Sequence, residues 1–159
     1  MTSPIRPTND AARSLARQLM QDARFAALAV TDETGCPYLS RVAFGLSPAG
    51  APISLVSTLA AHTEALIARP DCALLVGEPS DKGDPLTHPR LTLQGRAEIL
   101  PNDTPAHREM AAHYLRVHPK AKLYVGFGDF HFLQFTITRA FLNGGFGKAF
   151  TLTPADLGL

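Results

Sequence analysis

The segment SLVSTLAAHTEAL (residues 54–66) joins an apolar run, typical of a buried strand, to the start of a predicted helix. The run ends in Ser57 and Thr58, and His62 and Thr63 follow within the first helical turn. Two explanations are open for four hydrogen-bonding side chains at one strand-to-helix junction. Either the hydroxyls cap the helix, or the junction binds an anion, because a helix N-terminus offers unpaired N–H groups and a partial positive charge.

Two hairpins precede this junction. The strand FAALAVTD (25–32) is followed by the turn ETG and then by YLSRVAFGL (38–46), and the turn SPAGAP leads into ISLVS (53–57). Because tight turns join antiparallel neighbours, two successive hairpins predict an antiparallel sheet.

Three more strands are predicted after the junction, over residues 72–78, 90–100 and 130–142. Gly95 lies inside the second of them and predicts a bend or bulge there. Both alternating sets of side chains in the last strand are apolar, so we expect both of its faces to be covered. Six short strands around one core favour a small closed barrel, and a flat sheet with a helical layer is the alternative.

Three helices are predicted around the sheet. Apolar residues recur on one helical face over residues 12–23, with Asn9 or Thr8 as the N-cap. A second helix is predicted from about residue 59 to 69, where Pro70 stops it, and a third over residues 104–118.

Composition limits the class of protein. The 159 residues, 45% of them hydrophobic, predict one domain over residues 1–159, with residues 1–8 as a loose N-terminal arm. A net charge of +1 indicates neither a nucleic-acid partner nor an acidic membrane surface. No apolar run approaches the ~20 residues that span a bilayer, and the N-terminus lacks the apolar stretch of a signal peptide. We therefore expect a cytoplasmic protein that does not enter membranes.

Three segments together resemble the split-barrel flavoproteins related to pyridoxamine 5'-phosphate oxidase: YLSRVAF (38–44), LVSTLAAHTEALIARPDCALLV (55–76) and GDPLTHPRLTLQGRAEIL (83–100). The loop within the third segment and the ending FLNGGFGKAF (141–150) are most similar to the haem-utilisation branch of that family. The resemblance covers roughly residues 12–150. It implies a six-stranded antiparallel Greek-key split barrel with peripheral helices, assembled as a homodimer with flavin mononucleotide (FMN) at the subunit interface.

The residue chemistry and the resemblance together imply a set of cofactor-binding residues: Arg41, Val42, Ser57, Thr58, His62, Thr63, Arg90 and Leu91. His62 and Thr63 stand where a typical oxidase of the family has Arg-Lys. A histidine is charged only part of the time near neutral pH. The phosphate should therefore be held less tightly, and flavin affinity should fall as pH rises if His62 binds as imidazolium.

Three functions compete on this reading. The first is an FMN-dependent oxidoreductase acting on an unidentified small molecule, in which the flavin does the redox chemistry. The second is a haem-binding or haem-degrading protein on the same barrel, and the third is a non-catalytic flavin carrier. The oxidases of the family carry tryptophans and an Arg-x-His element near the C-terminus. This chain has no tryptophan, and no Arg or His follows Lys148.

The histidines bear on the haem alternative. In the haem-utilisation branch a histidine of the C-terminal tail binds the iron, but the tail TLTPADLGL (151–159) contains none. A haem iron would need another ligand, such as His62 or His131. The histidine spacings match no metal-binding motif, so we predict no metal site. No nucleophile is paired with a base, and we assign no catalytic residue.

Overall fold

The structure is a computed structural model that describes residues 3–159, which form four α-helices, eight strands and two short 3-10 helices. The α-helices are α1 (Asp10–Asp22), α2 (Ala61–Ala68), α3 (Pro105–Tyr114) and α4 (Pro154–Leu157). The strands are β1 (Phe25–Thr31), β2 (Pro37–Ala43), β3 (Gly45–Leu46), β4 (Pro52–Ser57), β5 (Asp71–Val76), β6 (Arg90–Leu100), β7 (Phe130–Asn143) and β8 (Ala149–Leu152). They form one antiparallel sheet in the order β2-β1-β5-β6-β7-β4-β3, with β8 paired to β7.

The sheet curls into the predicted split barrel. Its two ends approach where the buried Ser54 Oγ of β4 donates a hydrogen bond of 2.6 Å to the Ala43 carbonyl of β2. The concave face carries the main core, to which Leu28 and Leu93 contribute fully buried side chains. The predicted fold class is therefore confirmed.

The predicted count of six strands is wrong, because the described residues form eight. The segment predicted as one strand over 38–46 divides at Phe44: residues up to Ala43 pair with β1, the Phe44 N–H makes the last bond of that hairpin to the Arg24 carbonyl, and Gly45 and Leu46 pair with β4 instead. This leaves β3 as a separate two-residue strand. The second addition, β8, has only four residues, too few for its alternation to be recognised in the sequence.

The helices begin where local capping predicts. Asn9 caps α1 by accepting from the Ala12 N–H at 2.9 Å, as expected. Thr104 caps α3, which ends at Tyr114, four residues earlier than predicted. Within residues 3–159 no helix is long and apolar enough to cross a membrane.

Both faces of β7 are covered over its first half, as its two apolar sets predicted, whereas Thr136, Thr138 and Arg139 are exposed. Leu133 and Phe135 point into the main core. Phe132 points the other way, into a second core beneath α3 that includes Ile53 and Met110. The strand β7 therefore joins the barrel to α3.

The N-terminal segment predicted as a loose arm runs beside β8 over its described part. The Arg6 N–H donates to the Ala149 carbonyl at 2.8 Å, and Thr8 Oγ1 donates to the Thr151 carbonyl at 2.9 Å. Residues 1 and 2 lie outside the described residues. The arm is thus held by main-chain contacts from residue 5 onward.

Gly95 marks the predicted bulge between β6 and β7. The register changes there, from Gln94 opposite Arg139 to Gly95 opposite Ile137, so that Thr138 of β7 has no partner. A Cβ atom at position 95 would lie 2.0 Å from the Thr136 carbonyl oxygen. Only glycine permits this close approach of two backbones.

We predict that Gly95→Ala destabilises the protein by about 3 kcal/mol, near the upper end for overpacking, because the atoms that must move belong to the backbone. Urea unfolding of both proteins measures the difference. Gly126→Ala is the matched control, since nothing lies within 4 Å of a Cβ atom there. Equal midpoints for Gly95→Ala and the control would contradict this role of Gly95.

Candidate functional site

The junction between β4 and α2 is closed by Asp129, which directly precedes β7. Ser57 Oγ donates to Asp129 Oδ2 at 2.6 Å, and the Thr58 N–H donates to the Asp129 carbonyl at 2.7 Å. Ser57 Oγ also accepts from the Leu59 N–H at 3.1 Å. The N-cap of α2 is Ala60, without a side-chain cap bond. The capping explanation is therefore wrong, since Ser57 and Thr58 hold the turn before the helix and attach it to β7.

Thr63 is the second hydroxyl predicted to face an anion. Its residue exposure is 0%, and its Oγ1 donates to the Ser57 carbonyl at 2.8 Å. A hydroxyl carries a single proton to donate. The hydroxyl protons of Ser57 and Thr63 are therefore both engaged by acceptors of the chain itself.

His62 lies on the first turn of α2 and contacts β2. Its Nδ1 lies 3.2 Å from Ser40 Oγ, and its Nε2 is buried without a hydrogen-bond partner in the described residues. Desolvation lowers the pKa of His62 below its ordinary value. The imidazole is consequently neutral at neutral pH, which removes the charge that a phosphate contact would need.

Arg41 lies on the opposite face of β2 from this junction. Successive side chains of a strand point to opposite faces. Ser40 contacts α2 and Val42 is buried in the main core, so Arg41 points outward. Its guanidinium lies 5.5 Å from the ring centroid of Phe25. The structure therefore separates Arg41 from His62, although both were predicted to hold one phosphate.

Arg90 shares the outward side of the sheet with Arg41. Its side chain is half-buried at the start of β6, and its Nη1 donates to the Leu86 carbonyl at 3.0 Å. Leu91 points the other way and is fully buried. Arg90, Leu75 and Phe141 line a groove of about 340 Å³ on this side.

The outward side of β2, β1 and β5 presents a largely apolar surface, which we call the outer sheet face. It is formed by Leu39 and Arg41 of β2, Phe25, Ala27 and Ala29 of β1, and Ala73 and Leu75 of β5. Three alanines form its floor. The larger side chains around them are unusually exposed, with 69% for Leu39, 42% for Leu75 and 39% for Phe25.

A second cleft of about 590 Å³ lies between the β1–β2 turn and α2. Asp32, Glu33 and Glu64 line it, together with Tyr38 and Arg69. Three carboxylates make this cleft unsuited to an anionic cofactor. It contains none of the predicted cofactor-binding residues.

The hydrogen bonds of the histidines determine which ring nitrogens can bind a metal. His131 Nδ1 accepts from the Asn102 N–H at 3.0 Å, so the neutral ring carries its proton on Nε2. His118 Nε2 lies 2.8 Å from the Phe44 carbonyl oxygen. Because a carbonyl can only accept, this nitrogen carries the ring proton. Of the two iron ligands suggested by sequence, His62 has its Nε2 buried away from any ligand on the surface. No group of three or more His, Cys, Asp or Glu side chains in residues 3–159 is arranged to hold a metal ion.

Two residues of the junction, Asp129 and Ser40, were missed by sequence reasoning. Asp129 is separated from Ser57 by 72 positions, and Ser40 is separated from His62 by 22. No local pattern relates them, because only strand pairing brings them together. The sequence contained one usable signal for the outer sheet face, the alternation of alanines in FAALAVT (25–31).

A family model described as pyridoxamine 5'-phosphate oxidase matches residues 13–144 of the chain. Among curated proteins, the chain is 42% identical over 101 residues to the non-canonical heme oxygenase HOZ, chloroplastic, of Arabidopsis thaliana. That alignment covers 63% of this chain and 29% of the plant protein, so the chain spans less than a third of this relative.

Solved structures have the same fold. A heme binding protein from Mycobacterium smegmatis is 29% identical, with a TM-score of 0.81 over 97% of this chain and 61% of that one. ChuZ from Campylobacter jejuni superimposes with a TM-score of 0.85 over 95% of this chain and 63% of that one. Its identity is 15%, so this likeness concerns the fold alone.

The neutral state of His62 leads to a prediction about stability and pH. An unfolded histidine has a pKa of about 6.5, and the folded pKa of His62 is lower. Between these two values the unfolded chain binds more protons, so the free energy of unfolding decreases as pH falls below about 6.5. Urea unfolding at pH 7.5 and pH 5.5 should therefore show a smaller loss for His62→Gln than for wild type.

The comparison isolates His62, because His118, whose pKa is also lowered by burial, is present in both proteins. An identical loss in wild type and His62→Gln would show that His62 is not held neutral by the fold.

Proposed function

This chain belongs to the pyridoxamine 5'-phosphate oxidase family, and from that premise we propose that it is a haem-binding protein whose ligand lies on the outer sheet face. The observation that carries the proposal is a flat, exposed apolar floor beside Arg41, whose guanidinium has no acidic partner within residues 3–159. The relatives support it, since the Arabidopsis thaliana protein is named a heme oxygenase and the Mycobacterium smegmatis protein a heme binding protein.

The floor suits a planar ring. Ala27, Ala29 and Ala73 leave a shallow surface across three neighbouring strands, which together span about 10 Å. Leu39 and Leu75 stand beside it with large exposed apolar areas. Covering such a surface with an apolar macrocycle is favourable at roughly 25 cal/mol per Å² removed from water.

Arg41 suits the anionic groups of the ligand. Within residues 3–159 it makes no ion pair or hydrogen bond, and it only stacks near Phe25. A guanidinium binds carboxylates with two parallel hydrogen bonds, and haem carries two propionate groups. Bound haem would supply iron-based oxygen or electron-transfer chemistry, while Arg41 would orient the ring by one edge.

A homodimer completes the proposal. Exposed apolar patches of this kind mark interaction sites, and a second copy related by two-fold symmetry would bury the outer sheet face and exclude water from the ligand. The outer sheet face has no histidine among the described residues. Arg41 and the apolar side chains of this face would therefore hold a bound haem by its propionates and its ring rather than through an imidazole of the face.

FMN is the second candidate ligand, with an oxidoreductase or a flavin carrier as the corresponding function. The groove beside Arg90 favours it, because a flavin ring also stacks on flat apolar surfaces and the two outward-facing arginines, Arg41 and Arg90, suit its phosphate. The β4–α2 junction does not favour it, since the hydroxyl protons of Ser57 and Thr63 are already engaged and the Asp129 carboxylate lies beside Ser57.

Titration with hemin and with FMN, followed by absorption, tests the ligand. We expect a Soret band with saturable binding for hemin, and a loss of about 1 kcal/mol in hemin affinity for Arg41→Ala, the scale of an exposed charge pair. Arg116→Ala is the control, because it removes an exposed arginine of the loop after α3. Saturable FMN binding without a Soret band would overturn the haem proposal in favour of the flavin.

Light scattering at micromolar concentration tests the dimer. We expect a dimer for the wild type and a monomer for the double variant Leu39→Lys, Leu75→Lys, because two charges would be buried on the outer sheet face. Leu59→Lys is the matched control, since Leu59 is 85% exposed and lies at the β4–α2 junction. A monomeric wild type would exclude a ligand site shared between copies.

A further inference from the structure

We propose that Asp129 determines cofactor specificity by excluding the FMN phosphate from the β4–α2 junction. The inference deepens the proposed function and rests on it, because it gives a physical reason for haem rather than flavin in this chain. It concerns a disagreement between the anion site expected at this junction and the groups that the fold assembles there.

The first step is the supply of donors. Ser57 donates its only hydroxyl proton to Asp129 Oδ2 at 2.6 Å. Thr63, fully buried, donates its own to the Ser57 carbonyl at 2.8 Å. A phosphate would have to displace Asp129 Oδ2 to receive the proton of Ser57, or the Ser57 carbonyl to receive that of Thr63, so neither hydroxyl is available without breaking a bond of the chain.

The second step is charge. A phosphate bound to Ser57 Oγ would replace the Asp129 carboxylate or lie beside it, and two anions at hydrogen-bonding distance from one hydroxyl repel each other strongly. His62 is the side chain between Ser57 and Thr63 that could carry a positive charge. Burial lowers its pKa, so it stays neutral near pH 7. Arg41 points to the outer sheet face and does not compensate.

The third step is the helix. In the first turn of α2 the Thr63 and Glu64 N–H groups both donate to the Ala60 carbonyl, and the positive end of the helix dipole attracts negative charge. The main chain of Asp129 is fixed beside this turn by the bond from the Thr58 N–H to its carbonyl. The carboxylate, which accepts from Ser57 Oγ four residues before α2 begins, therefore brings a negative charge of the chain itself to the turn where a ligand phosphate would lie.

The test compares FMN with riboflavin, which lacks the phosphate, by fluorescence titration of wild type and Asp129→Asn. Asparagine keeps an oxygen that accepts from Ser57 and removes the charge. We expect wild type to bind the two flavins within about twofold of each other, because no charged hydrogen bond to phosphate is gained. Asp129→Asn should bind FMN about fivefold to a hundredfold more tightly than wild type, with riboflavin unchanged.

Two further variants sharpen the comparison. Glu109→Gln makes the same change in net charge at an exposed position of α3 and should leave both affinities unchanged. Adding Ser57→Ala to Asp129→Asn should abolish the gain, since the hydroxyl that a phosphate would draw away from the neutral amide oxygen is then missing. Thermal melting of each protein verifies that it is folded.

Two results would overturn the proposal. One is an FMN affinity of folded Asp129→Asn no higher than that of wild type. The other is a preference for FMN over riboflavin of more than about tenfold, the scale of a charged hydrogen bond, that persists when Arg41 and Arg90 are both replaced by alanine, because a phosphate held on the outer sheet face would then lose its partners. Hemin titration of wild type distinguishes this outcome from failure of the proposed function, because the absence of a Soret band refutes haem binding without changing the flavin comparison.

Discussion

The close approach of Gly95 to the Thr136 carbonyl allows the two longest strands to stay paired while the sheet curls. β6 has 11 residues and β7 has 14, and their register shifts once, at this glycine. The extra residue on β7, Thr138, keeps its hydroxyl bonded to the Gln94 carbonyl at 3.2 Å. Before the bulge, residues 130–134 of β7 also pair with β4 along the other edge of the strand, which brings Asp129 to the end of β4 and so creates the β4–α2 junction.

The period of two along β2 separates two surfaces that a linear reading places together. Ser40 reaches α2, Arg41 reaches the outer sheet face, and Val42 fills the core. Three consecutive residues thus serve three environments. A cofactor that contacts both Arg41 and the start of α2 within one copy would have to cross the edge of the barrel, which explains why the eight predicted residues do not form one cradle.

The β4–α2 junction and the outer sheet face differ in the chemical groups that they offer to a ligand. At the junction, the hydroxyl protons of Ser57 and Thr63 are engaged. The imidazole of His62 is neutral, and Asp129 contributes a carboxylate. The outer sheet face has an apolar floor and an arginine without an acidic partner in the described residues. Unsatisfied apolar area and unpaired charge are what a ligand or a partner can stabilise, whereas a saturated polar network gains little from one. The physical case for binding therefore lies on the outer sheet face.

The sequence by itself determined the antiparallel hairpins, the bulge at Gly95, the Asn9 cap and the family, because each depends on neighbouring residues or on ordered segments along the chain. It also identified Ser57, His62 and Arg41 as chemically distinctive. Only the tertiary structure decided what those residues contact. Asp129 reaches Ser57 across 72 positions, Ser40 reaches His62 across 22, and desolvation lowers the pKa of His62. Hydrogen-bond partners and burial arise from strand pairing and strand face, and these depend on the whole sheet rather than on any local stretch of chain.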